Sequence, residues 1–574
     1  MSSQENHGLD IIHVPDRSAL PSGESWTILG SCAVRRRGRN RFDRDSITFV
    51  KDGRLFSTAG VILNSPELLR RNAAASLEDA LAREFAAHGW KFPAGLRGNF
   101  SGMVYDEVND SLLAYTNHLG ARPLFHYEAP NRETLISSDL MGLSRLMKER
   151  GMARRIDETA ARFLLTFGFM LDERTLLEGV SRLPPGGVLE VGCGHRGLRN
   201  YWSYSNEPRE IPEREAVDSF YELFSQAIRR GFDKDEEYGF GHLALLSGGL
   251  DSRMISYFAH RLGYKDLLTV TFGQAGCEDE RTAAAISAEL GYDHLFMPLG
   301  AGDYLLDVEE PVRRNGGTVL YGGSAHAVRA YRRLDWNRYG LLHNGVFADV
   351  SQGDYVEGPE HTEPSPRTWA YSTRLFGTVE EEARSIAKAY PNQEAFAVHT
   401  CGINGALNGS ISALVETETD EPYLDADLVE FAMHLPVRYK YRERLFVRTI
   451  EERFPAAARH RWQKWGLAPT MRNYRLSGTL AFRALRRGKA ELQALTGLKE
   501  PPRSNMNPVQ FWWNSNGALR KGFDEIFGDA LASTTLAGGL LRDCETLYRS
   551  GDCLEKSQAL TLLVASRLLA SGEA

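Results

Sequence analysis

The sequence predicts a mixed α/β protein in two parts: an antiparallel front part, and a doubly wound parallel sheet with a helical C-terminal part. Up to Tyr201, short strand-like runs are separated by turn residues such as Asp52-Gly53. Beyond Tyr201, strand-like and helix-like segments alternate, which is typical of the βαβ units of a parallel sheet. These two observations together predict the fold class.

The elements of the front part follow from the alternation of apolar residues and from the turns between them. We predict strands over residues 46–50, 55–57, 102–105, 111–115 and 188–191, and helices over 76–88 and 157–167. The composition of residues 207–215, a charged stretch with two prolines, predicts a linker. The predicted domains are therefore residues 1–205 and 215–574.

In the second part, each predicted strand is followed by a helical pattern. The predicted order is a helix over 216–230, then strand 242–246, helix 253–262, strand 267–272, helix 279–290 and strand 294–298. The remainder of the chain to Ala574 shows mainly helical patterns.

Composition excludes several classes of protein. The 574 residues are 42% hydrophobic and 25% charged, with a formal net charge of -7, so no nucleic-acid or acidic-lipid partner is expected. The six cysteines have no CxxC spacing, which favours a reducing compartment. No apolar run approaches the roughly 18 residues of a membrane span. We therefore expect a cytoplasmic, soluble protein without a membrane partner.

The strongest local motif is a glycine-containing loop between a predicted strand and a predicted helix. Its residues are Ser247-Gly248-Gly249-Leu250-Asp251-Ser252. The glycines allow close approach of the backbone to an anion, and the following helix N-terminus favours negative charge. Because no Gly-Lys-Ser/Thr follows, this is not a Walker A loop. The sequence thus predicts a phosphate-binding loop, in which Asp251 could hold Mg²⁺.

This loop resembles the pyrophosphate-binding loop of the N-type (PP-loop) ATP pyrophosphatases. Six further segments, in order, resemble those of the asparagine synthetase family: 97–106, 116–125, 183–186, 345–349, 418–425 and 461–464. The first three resemble its class II glutamine amidotransferase domain. The resemblance implies an amidotransferase-like αββα sandwich in front of an ATP-pyrophosphatase synthetase domain.

The resemblance also implies ATP and Mg²⁺ as cofactors, and a role for each site residue. Ser247, Gly248, Gly249 and Ser252 would hold pyrophosphate, Asp251 and Asp349 would hold Mg²⁺, and the backbone from Val270 to Phe272 would hold adenine. Lys464 would stabilise the leaving pyrophosphate, Arg444 would supply a second cation, and Glu418 would accept or direct the proton of an attacking amine.

Several residues depart from the family pattern. The N-terminal cysteine nucleophile is replaced by Ser2, and Cys32 is the nearby alternative only if the chain is processed. Residues that recognise glutamine are replaced by Ala59, Val61 and Leu77. We therefore expect a front domain that no longer hydrolyses glutamine.

A further departure lies in the second domain. Val346 stands where the family has a glutamate or a tyrosine near the reacting carbonyl.

The resulting hypothesis is an AMP-forming amide-bond synthetase that adenylates a substrate carboxylate for attack by an amine. Lasso-peptide macrolactam synthetases and β-lactam synthetases share the loss of glutaminase residues. A ribosomal precursor peptide would then be the substrate, with a protease or leader-binding protein as partner. The alternatives are a ligase that uses free ammonia on a small molecule or sugar acid, and an inactive ATP-binding scaffold.

Overall fold

The computed structural model describes residues 7–38, 40–192, 195–482, 484 and 503–572. Two six-stranded antiparallel sheets form the front part, in the orders β10-β8-β9-β1-β3-β2 and β12-β11-β7-β6-β5-β4. The strands are β1 (Gly8–His13), β2 (Thr27–Leu29), β3 (Cys32–Arg37), β4 (Thr48–Lys51), β5 (Arg54–Gly60), β6 (Phe100–Asp106), β7 (Ser111–Thr116), β8 (Phe125–Glu128), β9 (Thr134–Ser137), β10 (Val180–Arg182), β11 (Gly187–Gly192) and β12 (His195–Asn200).

These two sheets pack face to face and carry helices on their outer faces. The helices are α1 (Ser65–Arg71), α2 (Leu77–His88), α3 (Leu140–Glu149) and α4 (Glu158–Phe167). Alternating apolar residues such as Leu9, Met103 and Leu189 fill the space between the sheets. Aromatic residues including Phe56 and Tyr115 pack the second sheet against α1 and α2. The layers are those of the expected αββα sandwich.

The second part contains one five-stranded, fully parallel sheet in the order β15-β14-β13-β16-β17. Its strands are β13 (Gly241–Leu245), β14 (Leu267–Gly273), β15 (Asp293–Pro298), β16 (Tyr339–His343) and β17 (Thr419–Asp420). Leu243 and Val270 pack into one core and Ala244 and Leu267 into another, so helices cover both faces. The predicted doubly wound sheet is confirmed.

The helices of this part surround the sheet and form the C-terminal region. They are α5 (Glu213–Tyr238), α6 (Asp251–Leu262), α7 (Glu278–Leu290), α8 (Glu309–Asn315), α9 (Ala325–Tyr331), α10 (Ala348–Gln352), α11 (Glu380–Ala387), α12 (Gln393–Ala397), a π-helix (Val398–Leu407), α13 (Asn408–Ser410), α14 (Ala426–His434), α15 (Val437–Lys440), α16 (Arg444–Arg453), α17 (Met471–Ser477), α18 (Val509–Ser515), α19 (Gly517–Ser533), α20 (Gly538–Ser550) and α21 (Cys553–Ser571). Within the described ranges, no helix combines the length and apolar character needed to cross a bilayer.

The strand order creates one crevice at the carboxyl edge of the sheet. The chain runs outward from β13 to β14 and β15, and later returns to place β16 on the other side of β13. At such a reversal, the loops that leave the two central strands diverge and leave room for a ligand. The loops after β13 and β16 therefore define the position of the site.

A buried histidine at the end of β16 ties this sheet to helix α5. His343 Nε2 lies 2.8 Å from Asp235 Oδ2, and its Nδ1 lies 2.7 Å from Asp420 Oδ2. The ring of Phe232 stacks on the imidazole with centroids 4.0 Å apart. Burial by itself would lower the pKa of His343, but the two carboxylates outweigh it and raise this pKa to about 9.

We expect this histidine to make the stability of the protein fall at alkaline pH. A group whose pKa is raised by folding contributes fully below its unfolded pKa, near 6.5, and loses that contribution as the pH rises through about 9. The free energy of unfolding should fall by on the order of 3 kcal/mol across this window. Chemical denaturation at several pH values measures it. His343→Gln should remove the slope and the surface variant His88→Gln should keep it; an unchanged slope in His343→Gln would contradict the assignment.

Candidate active site

The phosphate loop connects the end of β13 to the start of α6 and is tightly folded on itself. Ser252 Oγ accepts a hydrogen bond from Ser247 N at 3.0 Å, and Ser247 Oγ accepts one from Gly249 N at 3.2 Å. Gly248 N donates to Asp279 Oδ1 at 2.9 Å. To bind a phosphate, these backbone donors would have to exchange their side-chain acceptors for phosphate oxygens.

The buried side chain of Arg253, which the sequence motifs did not single out, holds this loop in place. Arg253 is fully buried, and its Nη2 donates to Gly248 O at 3.0 Å and to Arg461 O at 2.8 Å. Its Nη1 donates to the carbonyls of Ala457 and His460, both at 3.1 Å. The guanidinium therefore sets the loop against the segment that leads to the predicted catalytic lysine. Its only signal in the sequence is a charged residue on the buried side of a helix.

Three of the predicted residues converge at the crevice, although they come from distant segments. Asp251 follows β13, Asp349 follows β16, and Lys464 lies after α16. Lys464 Nζ donates to the carboxylates of Asp354 and Glu443. The Asp251 and Asp349 carboxylates act electrostatically on each other and on the same lysine. The structure thus assembles four carboxylates and one ammonium group.

Burial and mutual repulsion dominate the electrostatics of this cluster. Burial raises the pKa of Asp251 to about 6, and the Asp354 charge adds to this effect. Burial and then the Asp251 charge raise the pKa of Asp349. Burial would lower the pKa of Lys464, but Glu443 and Asp354 raise it. The lysine is therefore firmly cationic, while the two aspartates lie in a region that a cation would stabilise.

Strained backbone conformations flank this cluster. Phe347, two residues before Asp349, has φ 74°, and Arg442 and Glu443 have φ 57° and 59°. Bulky residues rarely adopt such left-handed conformations, which cost on the order of 1–3 kcal/mol each when the surrounding structure imposes them. The strain is found where two loops deliver carboxylates to the site. Glu443 and Asp354, which the sequence motifs did not identify, both accept hydrogen bonds from Lys464.

Arg444 does not join the cluster, contrary to its expected role. Its guanidinium forms two hydrogen bonds with Glu213 of α5, at 3.0 and 3.1 Å. Although it is next to Glu443 in the chain, the left-handed turn sends the two side chains in different directions. Arg444 therefore joins α16 to α5 and is not placed to neutralise a phosphate.

Glu418 lies at the boundary between the two domains. Its Oε1 accepts hydrogen bonds from Arg122 at 3.0 Å and from Asn40 at 2.8 Å, and the residue is 1% exposed. Glu421 is held in the same way by Asn99, at 2.6 Å. Both hydrogen-bond partners of the Glu418 carboxylate therefore belong to the front domain. This placement differs from the expected proton-accepting role, because a fully buried and paired carboxylate does not reach a substrate amine.

The other residues singled out in the sequence lie on β14 and in the loop after β16. Val270 and Phe272 lie on β14, whose last residue is at the same carboxyl edge as the phosphate loop. The carbonyl of Val270 already accepts a hydrogen bond from Leu246 N at 2.9 Å. Val346 is partly buried among apolar residues, and its N–H donates to Asn344 Oδ1 at 2.9 Å. No ionisable side chain is therefore present at position 346.

The front domain holds apolar side chains where glutamine recognition was expected to be lost. Ala59, Val61 and Leu77 are all buried in hydrophobic clusters. Cys32 lies inside β3 in the core between the sheets, where burial raises the pKa of its thiol. It is therefore not presented as a nucleophile. Ser2 lies outside the described residues.

Comparison with known proteins identifies both parts. Residues 49–202 match the family model of a glutamine amidotransferase domain, and residues 219–328 match that of asparagine synthase. These two segments, in this order, are similar to the domains of the asparagine synthetase family. The chain is 25% identical over 165 residues to the glutamine-hydrolysing asparagine synthetase 3 of Bacillus subtilis (strain 168). That match covers 29% of this chain and 26% of the relative, so it spans about a quarter of the relative's length.

Two solved structures show weak similarity. A glutamine phosphoribosylpyrophosphate amidotransferase from B. subtilis, complexed with ADP and GMP, is 11% identical, covers 62% of this chain and 88% of its own, and has a TM-score of 0.24. An NMN synthetase from Francisella tularensis is 12% identical, and its match covers 41% of this chain and 97% of the synthetase chain, with a TM-score of 0.18. Similarities at this level carry no functional inference.

Proposed function

We propose that this protein is an ATP-dependent amide-bond synthetase that releases AMP and pyrophosphate. The observation that carries the proposal is the convergence of Asp251, Asp349 and Lys464 beside a phosphate loop at the carboxyl edge of a parallel sheet. A substrate carboxylate would attack the α-phosphorus of ATP and expel pyrophosphate. An amine would then attack the acyl carbon, lose a proton and expel AMP.

The donors in the cluster fit a magnesium ion. Mg²⁺ prefers carboxylate and phosphate oxygens, and two buried aspartates, Asp251 and Asp349, lie close enough that the charge of Asp251 raises the pKa of Asp349. When bound, the ion would neutralise charge on the phosphates. The protein's own part would be to hold those aspartates, to hold the phosphates on residues 247–252, and to direct Lys464 at the leaving group.

For the front domain we propose a structural role without glutamine hydrolysis. The buried Ala59, Val61 and Leu77 offer no charge or hydrogen bond to a glutamine head group, and Cys32 is inaccessible. Instead, Arg122 and Asn40 bind Glu418 across the domain boundary. The amine would then come from the substrate itself, as in the formation of a lactam or a lasso-type macrolactam from a precursor peptide.

The product of ATP cleavage tests this proposal. A loop that holds the β- and γ-phosphates as one unit leaves the α-phosphorus open to attack, so AMP and pyrophosphate should form in equal amounts. Anion-exchange analysis of nucleotides, after incubation with Mg-ATP and a panel of carboxylic acids, measures this ratio. ADP and phosphate as products would contradict the mechanism. Amide formation that requires added ammonium would favour the ammonia-using alternative.

A further inference from the structure

Arg253 lies in the first turn of α6, directly after the phosphate loop, and no part of it is exposed to solvent. Burial lowers the pKa of its guanidinium to about 10, so the group is still charged near neutral pH. A buried charge is costly unless hydrogen bonds replace its lost hydration. The partners of this side chain therefore explain why it is there.

The acceptors that surround the Arg253 guanidinium are backbone carbonyls from two distant segments. Its Nη2 donates to Gly248 O of the phosphate loop at 3.0 Å and to Arg461 O at 2.8 Å. Its Nη1 donates to Ala457 O and His460 O, both at 3.1 Å. Backbone carbonyls move only when the chain itself moves. These bonds therefore fix the two segments relative to each other, and Nη2 alone contacts both.

In the phosphate loop, this contact sets the direction of a backbone N–H. The C=O and N–H groups of a trans peptide unit point in opposite directions. Because the carbonyl of Gly248 faces the guanidinium, the N–H of Gly249, in the same peptide unit, points away from it. That N–H donates to Ser247 Oγ at 3.2 Å, an acceptor that a phosphate oxygen could replace. Arg253 thus orients one of the predicted phosphate donors.

The same geometry closes the turn that carries the predicted catalytic lysine. This lysine turn comprises residues 462–467, with Lys464 in its middle. The carbonyl of Arg461 faces the guanidinium, so the N–H of Trp462 points away from it and donates to Leu467 O at 2.8 Å. One guanidinium nitrogen therefore holds the peptide unit that orients a loop donor and the peptide unit that begins the lysine turn.

The lysine turn is anchored in the core of the domain. Trp462 and Trp465 are both buried, and the centroids of their rings lie 4.6 Å apart. Gly466 adopts a φ of 68°, which glycine allows without strain, and its N–H donates to Trp462 O at 2.8 Å. Because the turn is closed and packed in this way, a displacement of Arg461 would be transmitted to Lys464.

We propose that Arg253 is a positioning residue that couples the phosphate loop to the lysine turn. The inference rests on the proposed synthetase function and assigns the residue that keeps the two halves of its pyrophosphate site in register. Phosphates that bind the N–H of Gly249 fix the adjoining carbonyl against the guanidinium, and the guanidinium fixes the start of the lysine turn. Nucleotide binding at the loop thereby also orders Lys464.

Hydrogen–deuterium exchange, measured by mass spectrometry, tests the coupling with Mg-ATP at a concentration that calorimetry shows to be saturating. In the wild type, Mg-ATP should slow exchange of the amides in residues 247–253 and 457–467 at least about fivefold, and should not change exchange in β7. Arg253→Lys should keep the protection of the loop and lose that of residues 457–467. A single ammonium group cannot reach the carbonyls on both sides of the planar guanidinium.

Two controls separate the coupling from other causes of protection. Lys464→Ala removes any direct contact between the lysine and the phosphates, yet residues 457–467 should stay protected because Arg253 is still present. Arg182→Lys shortens another buried arginine, which donates to Gly120 O at 2.7 Å in the front domain, and should leave both segments protected. The Lys464→Ala experiment decides the question even if Arg253→Lys does not fold.

Exchange of radiolabelled pyrophosphate into ATP gives a second readout. With a carboxylic acid that supports exchange in the wild type, Arg253→Lys should lower kcat by about tenfold to a hundredfold, because the lysine is displaced. The KM for ATP should change by less than about fivefold, since the other donors of the loop remain. In a Lys464→Ala background, Arg253→Lys should lower kcat by less than about threefold more, because the group that it positions is already absent.

Three results would overturn the coupling: protection of residues 457–467 in Arg253→Lys, loss of that protection in Lys464→Ala alone, or effects of the two substitutions on kcat that multiply. A wild type that does not bind Mg-ATP would overturn the proposed function and this inference with it. A wild type in which Mg-ATP protects both segments but no acid supports exchange would support the coupling and overturn only the proposed reaction.

Discussion

Replacing Lys464 by alanine should slow the release of pyrophosphate by about 10²- to 10³-fold, with a much smaller effect on ATP binding. The ammonium group is held between Asp354 and Glu443 and is firmly charged. Negative charge on the leaving pyrophosphate grows mainly in the transition state, so a cation placed there lowers the barrier more than it improves ground-state binding. Pyrophosphate exchange gives the rate, and calorimetric titration with Mg-ATP gives the affinity.

Removing Lys464 leaves the carboxylates of Asp354 and Glu443 without this partner, so a control must separate that effect from the loss of the positive charge. Lys51 is also a partly exposed lysine paired with a carboxylate, that of Asp79, but it lies in the front domain. Lys51→Ala should leave both exchange and ATP affinity unchanged. Thermal unfolding of both variants reports any loss of stability, and Lys464→Arg, which keeps the charge, should recover part of the rate. Wild-type exchange in Lys464→Ala would remove the lysine from the mechanism.

The main features of the site could be predicted because they depend on strand order and short motifs. Asp251 follows β13 and Asp349 follows β16, and these strands are the two neighbours at the reversal of the sheet. Residues directly after such strands meet at the carboxyl edge whatever the intervening chain does. The predicted helix starts at Ser76 and Asp157 were likewise correct, because each side chain caps its helix by accepting a backbone N–H.

The rest of the site depends on side-chain directions that local patterns do not determine. Glu443 reaches Lys464 only because Arg442 and Glu443 both adopt left-handed backbone conformations. The same turn directs Arg444 to Glu213, and so the expected second cation is absent from the cluster. Glu418 was expected in the site because it is the first residue of the segment 418–425, which resembles a family motif. Its partner, Arg122, comes from 296 positions earlier in the chain, a pairing that no local pattern reveals.

The acidic half of the site should control the affinity for the nucleotide, and Asp251→Asn should demonstrate this. Asparagine keeps the size of the side chain but removes the charge that Mg²⁺ would neutralise. We expect Mg-ATP to bind about a hundredfold more weakly, or by ~2.8 kcal/mol. Asp349→Asn should behave similarly, because the carboxylates of Asp251 and Asp349 are both buried and both interact with Lys464. Calorimetric titration at several Mg²⁺ concentrations measures the effect.

The dependence on magnesium distinguishes loss of a metal ligand from a general disturbance of the loop. If Asp251 holds the ion, raising the Mg²⁺ concentration should partly restore ATP affinity in Asp251→Asn, because mass action compensates for a weaker metal site. Ser252→Ala provides the contrast. It removes the hydroxyl that accepts from Ser247 N and disturbs the loop without changing its charge. Its weaker binding should not respond to Mg²⁺. Wild-type affinity in Asp251→Asn at limiting Mg²⁺ would show that the ion is held elsewhere.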